Sequence, residues 1–170
     1  MAQPPAHHKP MTYQIDQSGK IEQTNIKTVL AITNDTYFTV ALSALDKRLL
    51  EQIFKQLKRP KLFPFLVFSA LLAILIKKVQ PKNKVVIDHE YSGRESLILE
   101  RSIYYLTLLR QKPSPHLEFG HVGKLSKSHQ LAHDVATGKK KNSYQASLKE
   151  IMRLIFHTKK IGNPEGSRSD

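Results

Sequence analysis

Thr12–Ile21 reads TYQIDQSGKI. Tyr13 and Ile15 mark a buried strand, and Asp16 stands at its end, just before a Ser18-Gly19 turn. A carboxylate in that position is either a turn residue or the first ligand of a metal site. The pattern recurs in NKVVIDHEYSG, Asn83–Gly93, where Val85–Ile87 forms a second buried strand that ends in Asp88. Parallel neighbouring strands finish on one edge of a sheet, about 4.8 Å apart, and ligands of such sheets collect outside those carboxyl ends. With the two strands side by side, Asp16 and Asp88 converge. Two carboxylates so placed repel unless a proton or a cation lies between them. Mg²⁺ or Mn²⁺, hard ions that prefer oxygen, are the natural occupants. One such acid alone is ordinarily a turn or cap residue; two in matched settings favour a ligand role for Asp16.

Outward from the first strand, KTVLAITN (Lys27–Asn34) and YFTVALS (Tyr37–Ser43) are rich in β-branched and aromatic residues, with NDT as the turn between them. Short connections imply an antiparallel meander. Ser43 or Asp46 caps a helix over LDKRLLEQIFKQLK, in which Leu45, Leu49, Ile53 and Leu57 recur every fourth residue as an apolar stripe. RPKLFP breaks that helix, and an apolar one follows. Beyond the Val85–Ile87 strand come a helix from about Arg94 to Arg110, a short strand in HLEFGHV, and helical segments around SHQLAHDVATG and YQASLKEIMRLIFHTKK. The order β-β-β-α-α-β-α-β-α-α predicts an α/β protein, a mixed sheet with helices packed on it.

The chain of 170 residues is expected to be a single domain over residues 11–161 between disordered tails, 1–10 and 162–170. Its 27 Lys and Arg against 14 Asp and Glu leave a net charge of +13, which points to a polyanionic partner, nucleic acid before an anionic membrane. The absence of cysteine excludes disulfides, thiolate metal sites and thiol nucleophiles, and fits a cytoplasmic location. MAQPPAHHKP has no apolar core and does not read as a signal peptide. The longest apolar run, Leu62–Ile76, falls short of the roughly 20 residues that span a bilayer, so it is expected to be a buried helix and no membrane span is predicted.

The order of elements and the strand-end acids resemble the ribonuclease H-like fold, a five-stranded mixed sheet flanked by helices. IDQSG is similar to the IDESG opening of a poorly characterised nuclease-like family of that fold, and HQLAHDVATG resembles its late QLAD…AG helix; together they cover most of residues 12–141. The resemblance implies metal-dependent cleavage of phosphodiester bonds in DNA or RNA. Asp16, Asp88 and Asp134 would be the ligands, with two Mg²⁺ or Mn²⁺ ions about 3.5–4 Å apart activating water and stabilising the leaving oxygen. Gln17 replaces the family's second acid, and an ungapped count from Gln130 puts the late acid on His133, so that Asp134 matches only after a shift of one residue. For a fourth ligand Glu90, Glu95 and Glu51 compete, and Glu90 is expected to share a side of the fourth strand with Asp88. Lys124, Lys127 or His129 would offset phosphate charge or move a proton.

His129 and His133 lie one helical turn apart with His121 upstream, a spacing that suits Zn²⁺ given a third ligand. Position 130 is Gln, however, so the HExxH motif is absent; GxSxG and GxxxxGK[ST] are absent too. His121–Lys160 holds nine Lys and Arg against two acids. A basic run of this kind, Lys139, Lys140 and Lys141 included, is either a solvated face or a track for a phosphate backbone. Tyr144 either stacks on a base or packs in the core. The competing readings are a nuclease, a nucleic-acid-binding module whose metal site has decayed, and a scaffold that docks a partner on the apolar helix.

Overall fold

A computed structural model describes residues 12–157 apart from Asp35 and Lys112; the two expected tails lie outside the described residues. Strands β1 (Tyr13–Ser18), β2 (Thr28–Thr33) and β3 (Tyr37–Leu42) form the meander. Helix α1 (Ala44–Gln56), a 3₁₀ turn over Pro60–Leu62, and helix α2 (Phe63–Val79) lead to β4 (Val85–Asp88). Then follow α3 (Glu95–Leu108), β5 (Leu117–Gly120), α4 (Lys127–Ala136), β6 (Tyr144–Gln145) and α5 (Leu148–Ile155). The mixed sheet has six strands in the order β5-β4-β1-β2-β3-β6. Strand β1 pairs antiparallel with β2 and parallel with β4, and β5 runs parallel to β4.

The expected sheet had five strands, and β6 is the addition. Its two residues pair parallel with Val40 and Ala41 of β3. A strand so short carries no period of its own, so the sequence gives it no signature.

The two faces of the sheet are covered unequally. Ile15, Leu30, Ile32, Val40, Leu42, Val85 and Ile87 meet the buried residues of α1, α2, α3 and α5 in the main core. Val29, Ala31 and Ala41 meet the buried Ala132 and Val135 of α4 on the other, with Leu131 and Ala136 packed at the margin. Alternation along each strand therefore sends Asp16, two residues from Gln14 and opposite Ala31, to the α4 side. The helical run Pro60–Val79 has 20 residues and a mean hydropathy of 2.1, enough by length and composition to cross a bilayer. Here it lies between the sheet and α3, with Val67–Ile76 wholly buried.

Helix α1 turns a different face inward than its leucines suggest. Ser43 caps it by accepting from the Asp46 amide, but Lys47, Leu50 and Phe54 are the buried residues, and Leu45, Leu49 and Leu57 are exposed. Each four-residue step advances about 40° around the helix, so a stripe of four winds away from any single face. Lys47 is fully buried. Its Nζ donates to the Lys20 carbonyl (3.1 Å), the Gln23 carbonyl (2.7 Å) and Thr28 Oγ1 (2.9 Å). One ammonium thus ties α1 to the β1–β2 loop. Burial lowers its pKa from 10.5 to about 8, with Glu22 opposing.

Candidate metal centre

Ile15 lies opposite Ile87 in the parallel β1–β4 pair, so Asp16 and Asp88 come next, level with one another, at the carboxyl ends. Strand β4 ends at Asp88 and the chain bends, with the Glu90 amide donating to the Asp88 carbonyl (3.0 Å). That bend carries Glu90 to the same place. One carboxylate oxygen from each of Asp16, Asp88 and Glu90 lies within 4.8 Å of the others.

Each acid is positioned by its surroundings. Asp16 is almost fully buried; one oxygen accepts from the Gln17 amide (2.7 Å) and the other meets His129 Nδ1 (2.8 Å). Asp88 Oδ1 accepts from the Val122 amide, two residues beyond β5 (3.0 Å). The Glu90 carboxylate has no hydrogen-bond partner among the described residues. Burial pushes the Asp16 carboxyl above the ordinary range and Asp88 adds to the rise, while the Gln17 amide and His129 oppose it. Burial also raises Glu90, helped by Asp16 and Asp88 and opposed by Lys20 and His129. Carboxylates this close repel one another unless a proton or a cation lies between them, and the three together could hold a metal ion. The donor set is all oxygen, which fits Mg²⁺ or Mn²⁺.

The turn after β1 explains the rest of IDQSG. Gly19 has φ +75°, and a side chain there would collide with the Lys27 carbonyl oxygen. Its own carbonyl accepts from Gln17 Nε2 and Thr28 Oγ1, both at 2.9 Å. Gln17 lies on the opposite face of β1 from Asp16, where Nε2 also reaches the buried Tyr91 hydroxyl (3.2 Å). The same hydroxyl accepts from the Ile21 amide (3.1 Å). Gln17 and Tyr91 thus fix the loop beside the acids rather than join them.

Helix α4 sorts the remaining candidates. Ser126 caps it by accepting from the His129 amide (3.1 Å), which sets His129 over Asp16. His129 and His133 line a cleft of ≈ 480 Å³ with Ser18, Gly19 and Lys27. Asp134 lies outside the three-acid cluster: it accepts from Gln130 Nε2 (2.9 Å) and faces Lys140 Nζ (3.8 Å). The residue of α4 that reaches the acids is His129, because Asp134 projects about 140° further round the helix. Of the acids weighed as a fourth ligand, Glu90 joins the cluster, whereas Glu95 pairs with His89 and Glu51 with Lys55. Lys124, Lys127, Lys139, Lys140 and Lys141 are all exposed around α4. Lys20, whose charge acts on Glu90, carries no local sequence signal of that role.

No protein-family model matches the chain, and neither a curated protein nor a solved structure matches it.

Proposed function

We propose that the chain is a divalent-metal-dependent nuclease on a ribonuclease H-like fold, cleaving phosphodiester bonds of nucleic acid. The observation that carries this reading is the meeting of Asp16, Asp88 and Glu90 at the carboxyl ends of adjacent parallel strands. The strand order β5-β4-β1-β2-β3, with only β2 antiparallel to the others in that set, supports the fold assignment. The net charge of +13 and the exposed lysines around α4 support a polyanionic substrate.

Asp16, Asp88 and Glu90 would hold the ion. Bound there, Mg²⁺ or Mn²⁺ supplies Lewis-acid polarisation of a phosphate oxygen and a more acidic water. The chain's own residues do the remainder. His129 Nδ1, bonded to Asp16, fixes the ring so that Nε2 is the nitrogen free to exchange a proton. The Gln17 and Val122 amides hold Asp16 and Asp88 in orientation, so neither must reorganise when charge develops.

The test is cleavage of a labelled panel of single- and double-stranded DNA, RNA, hybrid and branched duplexes with Mg²⁺ or Mn²⁺, wild type beside Asp16→Asn. Metal-dependent cutting by the wild type alone is the expected result. A second reading, a binding module with a decayed metal site, draws on the position of Asp134 away from the cluster. Tight binding with no cutting by either protein, under both metals, would establish that reading instead.

A further inference from the structure

The side of α4 turned away from His129 carries a second constellation. Lys127, Gln130 and Leu131 of α4, Lys140 of the following loop and Tyr37 of β3 line a groove of ≈ 390 Å³. Tyr37, at the start of β3, is 56% exposed, so part of its ring is open to solvent. Asp134, left without a place in the acid cluster, has one here. It accepts from Gln130 Nε2 and pairs with Lys140, holding an amide and a cation at the groove.

The register relates this groove to the acids. Tyr37 is level with Thr33, and Thr33 with Gln14, so Tyr37 stands two strands across from Gln14. Gln14 is two residues before Asp16 on the same face of β1. Strand spacing and rise put Tyr37 roughly 12 Å from Asp16 across the sheet, within reach of one strand that also enters the acid cluster. An open aromatic face beside two cations and an amide is the chemistry of a nucleobase and its phosphate. Bases inside a duplex have both faces occupied by their neighbours, so only an unpaired base can lie on Tyr37.

The geometry points to a subsite for single-stranded nucleic acid, in which one base stacks on Tyr37 while Lys127 and Lys140 hold the adjoining phosphates. The inference rests on the nuclease reading for its orientation toward the acids. It narrows the substrate to single strands or single-stranded ends. Gln130, held by Asp134, contributes hydrogen bonding at the base edge rather than charge.

The experiment is fluorescence anisotropy of a labelled 12-mer, single-stranded or paired with its complement, in EDTA and low salt, followed by cleavage assays with Mn²⁺ on the same oligonucleotides. Tyr37→Ala is expected to weaken single-strand binding about ten-fold or more and to leave duplex binding unchanged, with Tyr37→Phe retaining wild-type affinity. Lys127→Gln with Lys140→Gln is expected to flatten the salt dependence. Equal effects of Tyr37→Ala and Tyr37→Phe, no effect of either, equal losses on duplex, or no oligonucleotide binding by the wild type would each overturn the subsite. The two readings separate cleanly. Tyr37-dependent binding without any cutting keeps the subsite and removes the nuclease; cutting with a KM indifferent to Tyr37→Ala keeps the nuclease and removes the subsite.

Discussion

Asp16→Asn is expected to lower metal-dependent cleavage on the order of 10³-fold and, without metal, to make the fold more stable. Both effects come from one carboxylate. Asparagine keeps the shape and both local bonds, because its oxygen still accepts from the Gln17 amide and its NH₂ can donate to His129 Nδ1. What it removes is charge. Like charges at about 4.8 Å oppose one another by about 3 kcal/mol at an effective dielectric near 20, and proton uptake relieves much of that, so a net gain of about 1–2 kcal/mol is expected.

The pH dependence has the matching sign. Raised folded-state pKa values for Asp16 and Glu90 mean that the fold holds more protons than the unfolded chain just above the ordinary carboxylate range. Their contribution to stability is therefore present at low pH and lost as pH rises through those folded values. Asp16→Asn should flatten that acid limb. Mn²⁺ should raise the wild-type melting midpoint and leave the variant unmoved, since an ion bound only by the native state stabilises it. A wild-type midpoint indifferent to millimolar Mn²⁺ would remove the metal centre.

Lys47→Met is expected to cost roughly 2–4 kcal/mol in urea unfolding at neutral pH. Methionine fills similar volume and spares the protein the burial of a charge, which argues for a small effect. Against that, the buried Thr28 hydroxyl and two part-buried carbonyls lose their donor, and the β1–β2 loop loses its tie to α1. The stranded Thr28 hydroxyl carries its full desolvation penalty and the two carbonyls part of theirs, so the loss prevails. The pH dependence provides an internal check. With Lys47 near 8 in the fold and 10.5 when unfolded, the unfolded chain binds more protons between those values. Wild-type stability relative to Lys47→Met should then rise with pH across that window. Equal stability of the two proteins throughout would show that the buried ammonium does not hold the loop.

The parts legible in the sequence were those with a strong local pattern. Runs such as TVLAIT and VVID announce strands, and their closing acids announce where a ligand can gather. The meeting of Asp16 and Asp88 was expected on the condition that β1 lies beside β4, and the parallel register meets that condition. Other features depend on distant residues. Leu45 and Leu49 have the spacing of a core stripe, yet the acceptors from Lys20 to Thr28 that surround Lys47 decide which way α1 turns. Asp134 carries a plausible motif letter, but its angular position on α4 assigns it to Gln130 and Lys140. His129 could be assigned to Asp16 only once the cap at Ser126 and the packing of Ala132 had set the helix on the sheet.

That packing has a dynamic consequence. The buried contact of α4 with the sheet is made of alanines and valines, with Leu131 only partly buried beside it, whereas α2 buries phenylalanines, leucines and isoleucines. Less apolar area resists separation on the α4 side, so α4 is expected to open locally well before the molecule unfolds, and its amides to exchange with solvent faster than those of α2. The helix that walls both the acid cluster and the Tyr37 groove is then the most loosely held of the pair. A strand lying across both sides would clamp it, and slower exchange in α4 would report that a substrate had engaged the whole path.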